Sequence, residues 1–358
     1  MTETVDRLSG PALYAAHQDL ITNEPKMRVR DAAEKLGVSE AELVASRTGH
    51  AGVTRLKGPL GALIDEAQKL GKVMVLTRND YVVHEKIGEF DHVNVGPGMG
   101  LVLNHDIDLR LFLNRWHFGF AVVDDTDQGP RRSLQFFDGD GTAVHKIYLK
   151  DDTKAGAYDA IVKAHAADDQ SAELAVMAPP PVKADAPDAE IDVAGMRAHW
   201  AALQDTHDFI HLLRDYGVGR EQALRLAGGE YAERLPASIF ADLFENARDR
   251  KVPIMVFVGN PGCVQIHTGP VENLKVMGPW YNVLDPTFNL HLRGDQVTSA
   301  WLVRKPTSDG IVTSVELFAQ DGTLICQMFG ERKPGQAELE SWRDLAEGLS
   351  RAESVAAE

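Results

Sequence analysis

Alternating apolar and polar residues predict β-strands along much of this chain. In the stretch 106–114 four aliphatic side chains point to one side: Ile107, Leu109, Leu111 and Leu113. The residues between them point to the other side: Asp108, Arg110, Phe112 and Asn114. Similar runs at 118–123, 133–137 and 144–149 are separated by short polar turns such as Asp138-Gly-Asp-Gly. Strands that follow one another through such short turns indicate antiparallel meanders.

Helical periods of apolar residues precede the strands in each half of the chain. The stretches 27–46 and 206–226 both predict a helix, a Gly-Val turn and a second helix. Amphipathic helices are predicted at 59–70 and 236–248, and a strand follows each of them. The two halves therefore have the same order of elements.

The chain also repeats itself residue by residue. Positions 106–150 align without a gap on positions 287–331, an offset of 287 − 106 = 181. Ser-Leu-Gln-Phe-Phe-Asp-Gly-Asp-Gly-Thr at 133–142 thereby meets Ser-Val-Glu-Leu-Phe-Ala-Gln-Asp-Gly-Thr at 314–323. This unit is far longer than a solenoid repeat, so it indicates two duplicated domains. We predict an α+β fold with an internal duplication, each half a large antiparallel β-sheet with helices packed on it.

A change of composition marks the boundary between the halves. Residues 166–192 are rich in proline, alanine and acids, and they include Met-Ala-Pro-Pro-Pro-Val-Lys-Ala-Asp-Ala-Pro. Such a segment cannot bury enough apolar area to fold by itself, so it predicts a semi-rigid linker. We expect a first repeat at 1–165, this linker at 166–192 and a second repeat at 193–350.

The composition limits the class of protein. The 358 residues are 44% hydrophobic, 25% charged and 7% aromatic, and no run approaches the roughly 20 apolar residues of a membrane span. The first residues lack the apolar core of a signal peptide, so we expect a cytoplasmic protein without membrane insertion. The two cysteines, Cys263 and Cys326, do not form a Cys-x-x-Cys motif, which argues against a disulfide framework and a structural zinc site.

The formal net charge of −16 argues against nucleic acid and anionic membranes as partners. Neutralising phosphates requires clustered lysine and arginine, which an acidic surface does not offer. An anionic ligand would have to be met by a local basic pocket inside an acidic shell.

Two motifs are similar to nucleic-acid or nucleotide sites but lack their chemistry. The stretch 29–47 has the pattern of a helix-turn-helix, yet its second helix would begin Ser39-Glu-Ala-Glu, whose carboxylates would meet phosphates. A packed helical hairpin is the better interpretation. Gly96-Pro-Gly-Met-Gly does not match the dinucleotide fingerprint and precedes a strand pattern, so we predict a loop and no nucleotide cofactor.

Three polar side chains share one side of a predicted helix at about 205–216. The predicted core face consists of Phe209, Ile210, Leu212, Leu213 and Tyr216. The stripe on the opposite side consists of His207, His211 and Arg214. Asp205 is a candidate N-cap, which puts His207 in the first turn, where the helix dipole disfavours imidazolium and a neutral nitrogen remains for a metal. A metal ligand and a solvent-exposed histidine pair both remain open from this pattern.

The strand at 106–114 carries a second candidate group. Arg110 and Phe112 project together from its non-core side, and Asn289, His291 and Arg293 occupy the matching side in the second half. A functional surface and a solvated sheet face are both compatible with this pattern, because antiparallel sheets commonly leave one side in water.

Five long and unusual segments carry a resemblance that extends over nearly the whole chain. They are Asp106-Ile-Asp-Leu-Arg-Leu-Phe, Asp205-Thr-His-Asp-Phe, Gly259-Asn-Pro-Gly-Cys-Val-Gln-Ile-His-Thr-Gly-Pro, Trp280-Tyr-Asn-Val-Leu-Asp-Pro-Thr-Phe-Asn-Leu-His-Leu and Val303-Arg-Lys-Pro-Thr-Ser-Asp-Gly. In these segments the chain resembles the HemS/ChuS-type haemin-degrading and haem-transport family. Members of that family are two similar halves in one chain, in agreement with the duplication.

The resemblance implies roles for individual residues. The family holds haem iron with a histidine from the helix that opens the second half, which matches His207; His211, one turn along, is an alternative ligand. The family's distal arginine, on a first-half strand beside a phenylalanine, matches Arg110 with Phe112, so Arg110 is the expected catalytic residue. The remaining haem-contacting positions, with the three basic residues meeting the propionates, are Arg220, Phe257, Lys305, Gln327, Phe329 and Arg332.

The candidate residues fall where the repeat is broken. His207 meets Met27 at the nearby offset of 207 − 27 = 180, and Arg110 meets His291. The family carries a tyrosine where this chain has Phe329, whereas the duplicate position holds Tyr148. The missing phenol puts in doubt any distal network that depends on its hydroxyl.

The resemblance implies a cytoplasmic haem-binding protein that accepts imported haem and degrades it to release iron. The alternative is a non-enzymatic haem chaperone or storage protein that delivers haem to a separate haem oxygenase. Haem is the expected ligand or substrate, and a haem importer, a haem oxygenase and a second copy of the chain are the candidate partners. The residues do not separate an enzyme from a carrier.

Overall fold

The structure, a computed structural model, describes residues 8–50, 52–181, 184–333 and 335–356, with side chains as far as residue 349. The chain divides into two compact units. Unit 1 consists of Met1–Arg78, Glu85–Pro180 and Asn260–Gln265, and unit 2 consists of Asn79–His84, Pro181–Gly259 and Ile266–Glu358. Each unit thus includes one short segment from the other half of the sequence.

The helices follow the order that the sequence predicts, with additions at the ends of each half. In unit 1 they are α1 Gly10–Asn23, α2 Val29–Leu36, α3 Glu40–Ala45, α4 Ala62–Ala67 and α5 Ala155–His165. In unit 2 they are α6 Val193–Ala201, α7 Phe209–Asp215, α8 Arg220–Ala227, α9 Ile239–Asp249 and α10 Glu340–Ala356. Within the described ranges, no helix combines the length and the apolar character needed to cross a membrane.

The strands fall into two matching series. The first is β1 Val53–Leu56, β2 Lys72–Arg78, β3 Val82–Glu89, β4 Val93–Val95, β5 Met99–Leu103, β6 Asp108–Phe112, β7 Phe118–Thr126, β8 Gly129–Phe137 and β9 Ala143–Leu149. The second is β10 Ala232–Leu235, β11 Ile254–Asn260, β12 Cys263–Gly269, β13 Leu274–Met277, β14 Trp280–Leu284, β15 Phe288–Arg293, β16 Ser299–Thr307, β17 Gly310–Phe318 and β18 Leu324–Gly330. The chain passes between the units after β2, within β3, between residues 180 and 181, at the end of β11 and within β12.

Both units pair their strands in the same antiparallel order. Unit 1 has the order β1-β7-β8-β9-β2 and a ladder of β4, β5 and β6; unit 2 has β10-β16-β17-β18-β11 and a ladder of β13, β14 and β15. The starts of β7 and β16, Phe118 and Ser299, keep the sequence offset, because 299 − 118 = 181. The predicted α+β fold with an internal duplication is therefore confirmed.

The β16 side of the main sheet of unit 2 is buried on both faces. On β16, Ala300 and Leu302 point into a core formed with α9 and α10. Trp301 and Val303 point to the opposite side, into a core formed with α6, α7 and α8. Successive residues of a strand point to opposite faces, so this strand contributes to two cores at once.

Unit 1 has the same two-sided arrangement. Residues of α4 and α5 pack with Leu134 and Ile147 on one side of the sheet, and residues of α3 pack with Phe120 and Phe137 on the other. The Gly-rich stretch at 96–100 forms the turn between β4 and β5, where the N–H of Gly96 donates to the carbonyl of Met99 over 2.8 Å. The loop predicted for this stretch is confirmed.

The helix-turn-helix pattern forms a packed hairpin, as expected. Gly37 joins α2 to α3 with a φ of 69°, and Gly217 joins α7 to α8 with a φ of 63°. Residues other than glycine rarely adopt this left-handed backbone conformation, so both turns favour glycine. Every residue of α3 is buried, and Glu40 forms ion pairs with Arg78 and Lys146. A helix buried along its whole length has no free face with which to read a DNA groove.

The Pro-, Ala- and acid-rich segment is tied down on both sides of residues 182 and 183, which lie outside the described part. The backbone N–H of Arg55 in β1 donates to the side-chain amide oxygen of Gln170, and the side-chain N–H of Gln170 donates to the carbonyl of Arg55, both over 2.9 Å. The guanidinium of Arg55 donates to Asp169 over 3.0 Å. Further along, Asp188 accepts hydrogen bonds from Arg225 and from Gln222. The segment is irregular in structure but anchored.

Candidate functional site

His207 lies in a 3₁₀ turn, Thr206–Asp208, that leads directly into α7. Asp205 caps this turn, as predicted, because its Oδ1 accepts the backbone N–H of His207 over 2.8 Å. The same Oδ1 lies 2.6 Å from Nδ1 of the His207 imidazole. In a neutral imidazole this bond puts the proton on Nδ1 and leaves the lone pair of Nε2 available. The side chain is 88% exposed, so that nitrogen is accessible.

His211 has the opposite electronic arrangement. Its Nδ1 lies 2.9 Å from Nη2 of Arg214, and a guanidinium can only donate a hydrogen bond. Nδ1 of His211 therefore acts as the acceptor, and the proton of the neutral ring stays on Nε2. Neither nitrogen of His211 then offers a free lone pair, whereas Nε2 of His207 does.

Ile210 is exposed, contrary to the prediction that it belongs to the core face. Its exposed fraction is 66%, while Phe209 and Leu212 are buried as predicted. The reason lies within α7 itself: at about 100° per residue, Ile210 is roughly 110° from the centre of the face formed by Phe209, Leu212, Leu213 and Tyr216, so it lies on the flank of the helix. Ile210 thus adds an exposed apolar side chain three residues after His207.

A row of side chains crosses the face of the unit 2 sheet on which Phe209 packs. The cross-strand pairs Trp301 with Glu316, Glu316 with Gln327, and Gln327 with Phe257 form one continuous row. The neighbouring row consists of Val303, Ser314, Phe329 and Met255. The β16 end of both rows is buried under α6–α8. Phe257, Gln327, Phe329 and Met255, at the β11 end, are only half-buried.

The half-buried end of this face is aromatic. The rings of Phe257 and Phe329 lie 5.0 Å apart at 63°, an edge-to-face contact. Met255 was not identified from the sequence, although the alternation of β11 that exposes Phe257 applies to it equally. Together these side chains offer an apolar surface next to the polar row.

Glu316 is the centre of a buried charge cluster. Its carboxylate accepts hydrogen bonds from Nε and Nη2 of Arg220 at 2.7 and 3.0 Å, and from Nζ of Lys305 at 2.8 Å. Gln327 donates to the same carboxylate over 3.0 Å. Phe209 is located beneath both cations, with its ring centre 5.1 Å from Arg220 and 4.6 Å from Lys305. The ring that follows the His207 turn is therefore in contact with the cluster.

The cluster has two cations and one carboxylate. Burial by itself would raise the pKa of Glu316, but Arg220 and Lys305 outweigh it and hold that pKa well below its usual 4.5. Burial lowers the pKa of Lys305; the charge of Glu316 opposes this effect and the charge of Arg220 adds to it. Lys305 is thus the member whose charge is not fully compensated, and a further anion nearby would stabilise it.

Arg332 belongs to the same unit and lies within electrostatic reach of Asp205. Its guanidinium is 3.4 Å from Oδ2 of Asp309. The backbone N–H of His207 lowers the pKa of Asp205, and the imidazole of His207 and the charge of Arg332 lower it further. In unit 2, Phe209 connects the His207 turn to Arg220 and Lys305 by contact, and Arg332 acts on Asp205 through its charge.

Arg220 also lines a separate cavity of about 480 Å³ at the start of α8. The other cations that line it are Arg225 and Arg234, and its acids are Asp185, Glu221 and Asp321. Apart from Arg220, which already belongs to the Glu316 cluster, two cations meet three carboxylates here, so the cavity has no excess of positive charge of its own.

Arg110 and Phe112 lie on β6 in unit 1. Leu109 and Leu111 are fully buried and Arg110 and Phe112 are half-buried, which confirms the predicted alternation of this strand. Arg110 donates from Nη1 to the carboxylate of Asp108 on the same face. Burial raises the pKa of Asp108, and the charge of Arg110 opposes that rise. The duplicate position in unit 2 is His291, whose Nδ1 lies 2.7 Å from Oδ1 of Asn282.

The described residues contain no group of three or more His, Cys, Asp or Glu side chains arranged to hold a metal ion. Both cysteines are buried free thiols, and burial raises the pKa of each to about 12. A metal carried by a ligand and bound through a single histidine would not need such a cluster.

A family model described as the haemin-degrading HemS.ChuX domain matches the chain twice, at residues 37–165 and 217–349. This chain belongs to the HemS/ChuX family. The two matches cover most of the sequence, with one in each half, so the resemblance recognised from the five segments is confirmed.

Named relatives of this HemS/ChuX-family protein extend over nearly its full length. The hemin transport protein HemS of Yersinia enterocolitica is 39% identical over 337 residues, covering 93% of this chain and 96% of HemS. Holo-PhuS of Pseudomonas aeruginosa, described as a heme-binding protein, superposes with a TM-score of 0.91 at 51% identity, covering 94% of this chain and 97% of PhuS. ChuS of Escherichia coli, described as a heme oxygenase, superposes with a TM-score of 0.84 at 37% identity, covering 94% of this chain and 99% of ChuS.

Proposed function

We propose that this protein binds haem on unit 2 with His207 as the axial ligand, and that it accepts imported haem and degrades it to release iron. The observation that carries the proposal is the combination within one unit of an accessible, oriented imidazole with a buried cation cluster and a half-exposed apolar face. Haem requires these three elements, because it presents iron, two propionates and a flat apolar ring.

One observation supports His207 over His211 as the ligand. The Nε2 lone pair of His207 is free, since Nδ1 donates to Asp205, whereas Arg214 donates to His211 and leaves its proton on Nε2. The exposed Ile210 and the Phe209 ring, which contacts Arg220 and Lys305, lie close in sequence to both histidines and do not distinguish them.

The Glu316 cluster supports an anionic ligand. Arg220 and Lys305 share one carboxylate, so the cluster has a net charge of one positive unit in a poorly hydrated place. Electrostatic attraction is stronger there than in bulk water. A propionate beside Arg220, with a second one towards Arg332, would supply the missing negative charge. Phe257, Phe329 and Gln327 would border the porphyrin on the sheet side.

Arg110 is proposed as the distal catalytic residue, a role that rests on the resemblance. In this role its guanidinium would donate a hydrogen bond to a molecule bound at the iron. Asp108 keeps the guanidinium in place, and Phe112 adds an apolar surface on the same face of β6.

Haem carriage is the second candidate function, and Phe329 is the residue that favours it. A phenylalanine offers no hydroxyl to organise water or oxygen where the family carries a tyrosine. The relatives carry both kinds of description, since HemS is a hemin transport protein and ChuS a heme oxygenase. A carrier would need a haem importer as donor and a haem oxygenase as acceptor.

We also propose a cytoplasmic location. Cys263 and Cys326 are both free thiols, a state that persists in a reducing compartment. A homodimer remains a further proposal about assembly, which sedimentation at several protein concentrations tests.

Titration with ferric haem tests the ligand. His207→Ala should change the absorption spectrum of the complex and weaken binding, because the iron loses its imidazole. His211→Ala and His291→Ala are the matched controls, each removing an imidazole from the same unit, and both should leave the spectrum close to that of the wild type. An unchanged spectrum for His207→Ala would refute the assignment.

A turnover experiment separates degradation from carriage. The haem complex is given oxygen and a reductant, with catalase present so that free peroxide cannot attack the ring. Release of iron together with a cleaved tetrapyrrole supports the enzyme, and the yield should fall in Arg110→Ala. Intact haem that moves to an added haem oxygenase, with no iron released beforehand, supports the carrier.

A further inference from the structure

We propose that Asp205 is a positioning residue for the haem ligand: its carboxylate holds the Nδ1 proton of His207, fixes Nε2 as the coordinating atom and makes the imidazole a stronger electron donor. This inference rests on the proposed function. It assigns a role to a residue that otherwise serves only as a helix cap.

Two hydrogen bonds to one oxygen define the position of the ring. Oδ1 of Asp205 accepts the backbone N–H of His207 over 2.8 Å and faces Nδ1 of the imidazole over 2.6 Å. The first bond fixes the carboxylate to the backbone of His207 itself, so the second fixes the ring relative to that backbone. Free rotation of an exposed histidine would otherwise cost entropy when the iron binds.

The chemistry follows from general metal–histidine behaviour. A histidine that donates its second ring N–H to a carboxylate gains basicity at the coordinating nitrogen, and loss of such a partner typically weakens metal affinity about 10- to 100-fold. A stronger donor favours the more highly charged ferric iron over ferrous iron. Asp205 should therefore lower the reduction potential of the bound haem.

The repeat supports this interpretation independently. At the offset of 180 that aligns His207 with Met27, Asp205 aligns with Pro25. The duplicate in unit 1 thus lacks both the imidazole and the carboxylate. The two residues differ from their counterparts as a pair, as expected if they act together, and the 3₁₀ turn that Asp205 caps is likewise not found at the described residues ahead of α2.

Asp205→Asn is the decisive variant. Asparagine caps helices as well as aspartate does, and its amide oxygen can still accept the two hydrogen bonds, so the fold and the ring position are retained while the negative charge is removed. Asp208→Asn is the matched control. It removes the same charge one residue from His207 on the other side, where no hydrogen bond to the imidazole exists.

The readouts are the iron–histidine stretching frequency of the ferrous complex, measured by resonance Raman spectroscopy, and the reduction potential. Asp205→Asn should lower the frequency and shift the ratio of ferrous to ferric affinity about tenfold, equivalent to about 59 mV towards positive potential for one electron. Asp208→Asn should change neither. A frequency and a potential in Asp205→Asn equal to those of the wild type would overturn the role of Asp205.

A third variant distinguishes this failure from failure of the proposed function. If His207→Ala leaves the haem spectrum unchanged, His207 is not the ligand and both proposals are refuted. If His207→Ala alters the spectrum while Asp205→Asn behaves like Asp208→Asn, only the inference about Asp205 is refuted. Nitrogen NMR of the haem-free protein adds a readout: the proton of neutral His207 should reside on Nδ1 in the wild type and move to Nε2 in Asp205→Ala.

Discussion

Replacing Glu316 by glutamine should strongly destabilise unit 2, because it removes the carboxylate while almost preserving the side-chain volume. The side chain of Glu316 is fully buried and that of Lys305 is 3% exposed, so water cannot solvate the charge of Lys305 after the carboxylate is removed. Removing one partner of a buried pair costs about 3–5 kcal/mol. The whole free energy of unfolding of a domain is about 5–15 kcal/mol, so this loss is a large fraction of it.

The effect should depend on pH. Arg220 and Lys305 hold the pKa of Glu316 below its usual 4.5 in the folded protein. A depressed carboxylate pKa contributes stability that is complete above the unfolded value and is lost as the pH falls through the folded value. The difference in unfolding free energy between wild type and Glu316→Gln should therefore be largest near neutral pH and shrink below pH 4.5.

Urea unfolding, followed by tryptophan fluorescence and far-UV circular dichroism, measures the change. Two probes are needed because two compact units can unfold in separate steps. Arg197→Met, which breaks an exposed pair with Glu230 at 4.0 Å, is the control and should cost less than about 1 kcal/mol. The double variant Glu316→Gln, Lys305→Met should regain part of the loss, because it removes the stranded cation. A loss below about 1 kcal/mol for Glu316→Gln, or no recovery in the double variant, would refute the reasoning.

Three further predictions concern other parts of the fold. Cys263 and Cys326 should resist a thiol reagent at pH 8 and react on unfolding, since burial raises the pKa of both to about 12; reaction of the native protein would contradict this. Ser39→Ala should cost about 1 kcal/mol in urea unfolding, because it removes the capping box with Glu42, and a neutral result would show that the cap is redundant. Phe209→Ala should cost about 3–5 kcal/mol and also weaken haem binding, because the ring packs under Trp200 and supports Arg220 and Lys305; unchanged haem affinity would separate the two roles.

The sequence predicted the repeated strands well because their alternation reports one buried face directly. The predicted strand at 118–123 corresponds to β7, which continues to Thr126, and that at 133–137 to β8, which begins at Gly129. The residues that the prediction left out of these strands, Asp124–Thr126 and Gly129–Arg132, form the outer part of a hairpin that extends beyond the core. There the ladder is held by backbone hydrogen bonds, which leave no hydrophobic period in the sequence.

The second buried face of each main sheet was not predictable from a single sequence. Glu316 alternates with Val315 and Leu317, a pattern that predicts a solvent-facing side chain. In the structure α6–α8 cover that side, and two cations neutralise the carboxylate. Arg220 and Glu316 are 96 residues apart in the chain, so no local pattern connects them. The assignment of Ile210 to the core face was wrong for a local reason, because its position about 110° from the centre of the buried face of α7 already places it on the flank of that helix.

The two duplicated helices α3 and α8 carry ion pairs of opposite polarity at their first residues. The first residue of α3 is Glu40, and the residue aligned with it at the offset of 180 is Arg220, the first residue of α8. Both connect their helix to the sheet by buried ion pairs, Glu40 to Lys146 and Arg220 to Glu316, with opposite polarity. The partners are not duplicates of each other either, because 146 aligns with Gln327 and 316 with Gln135.

This reversal of polarity is not neutral for stability. A carboxylate in the first turn of a helix is favoured by the helix dipole and a guanidinium is disfavoured, each by about 0.3–1 kcal/mol. Glu40 therefore gains from its position and Arg220 loses from it. Packing does not require a cation there, since the duplicate packs the same hairpin with an acid. The ion pair with Glu316 already offsets the unfavourable charge of Arg220, so the reversed polarity follows from the Glu316 cluster and supports the proposed propionate contact only through that cluster.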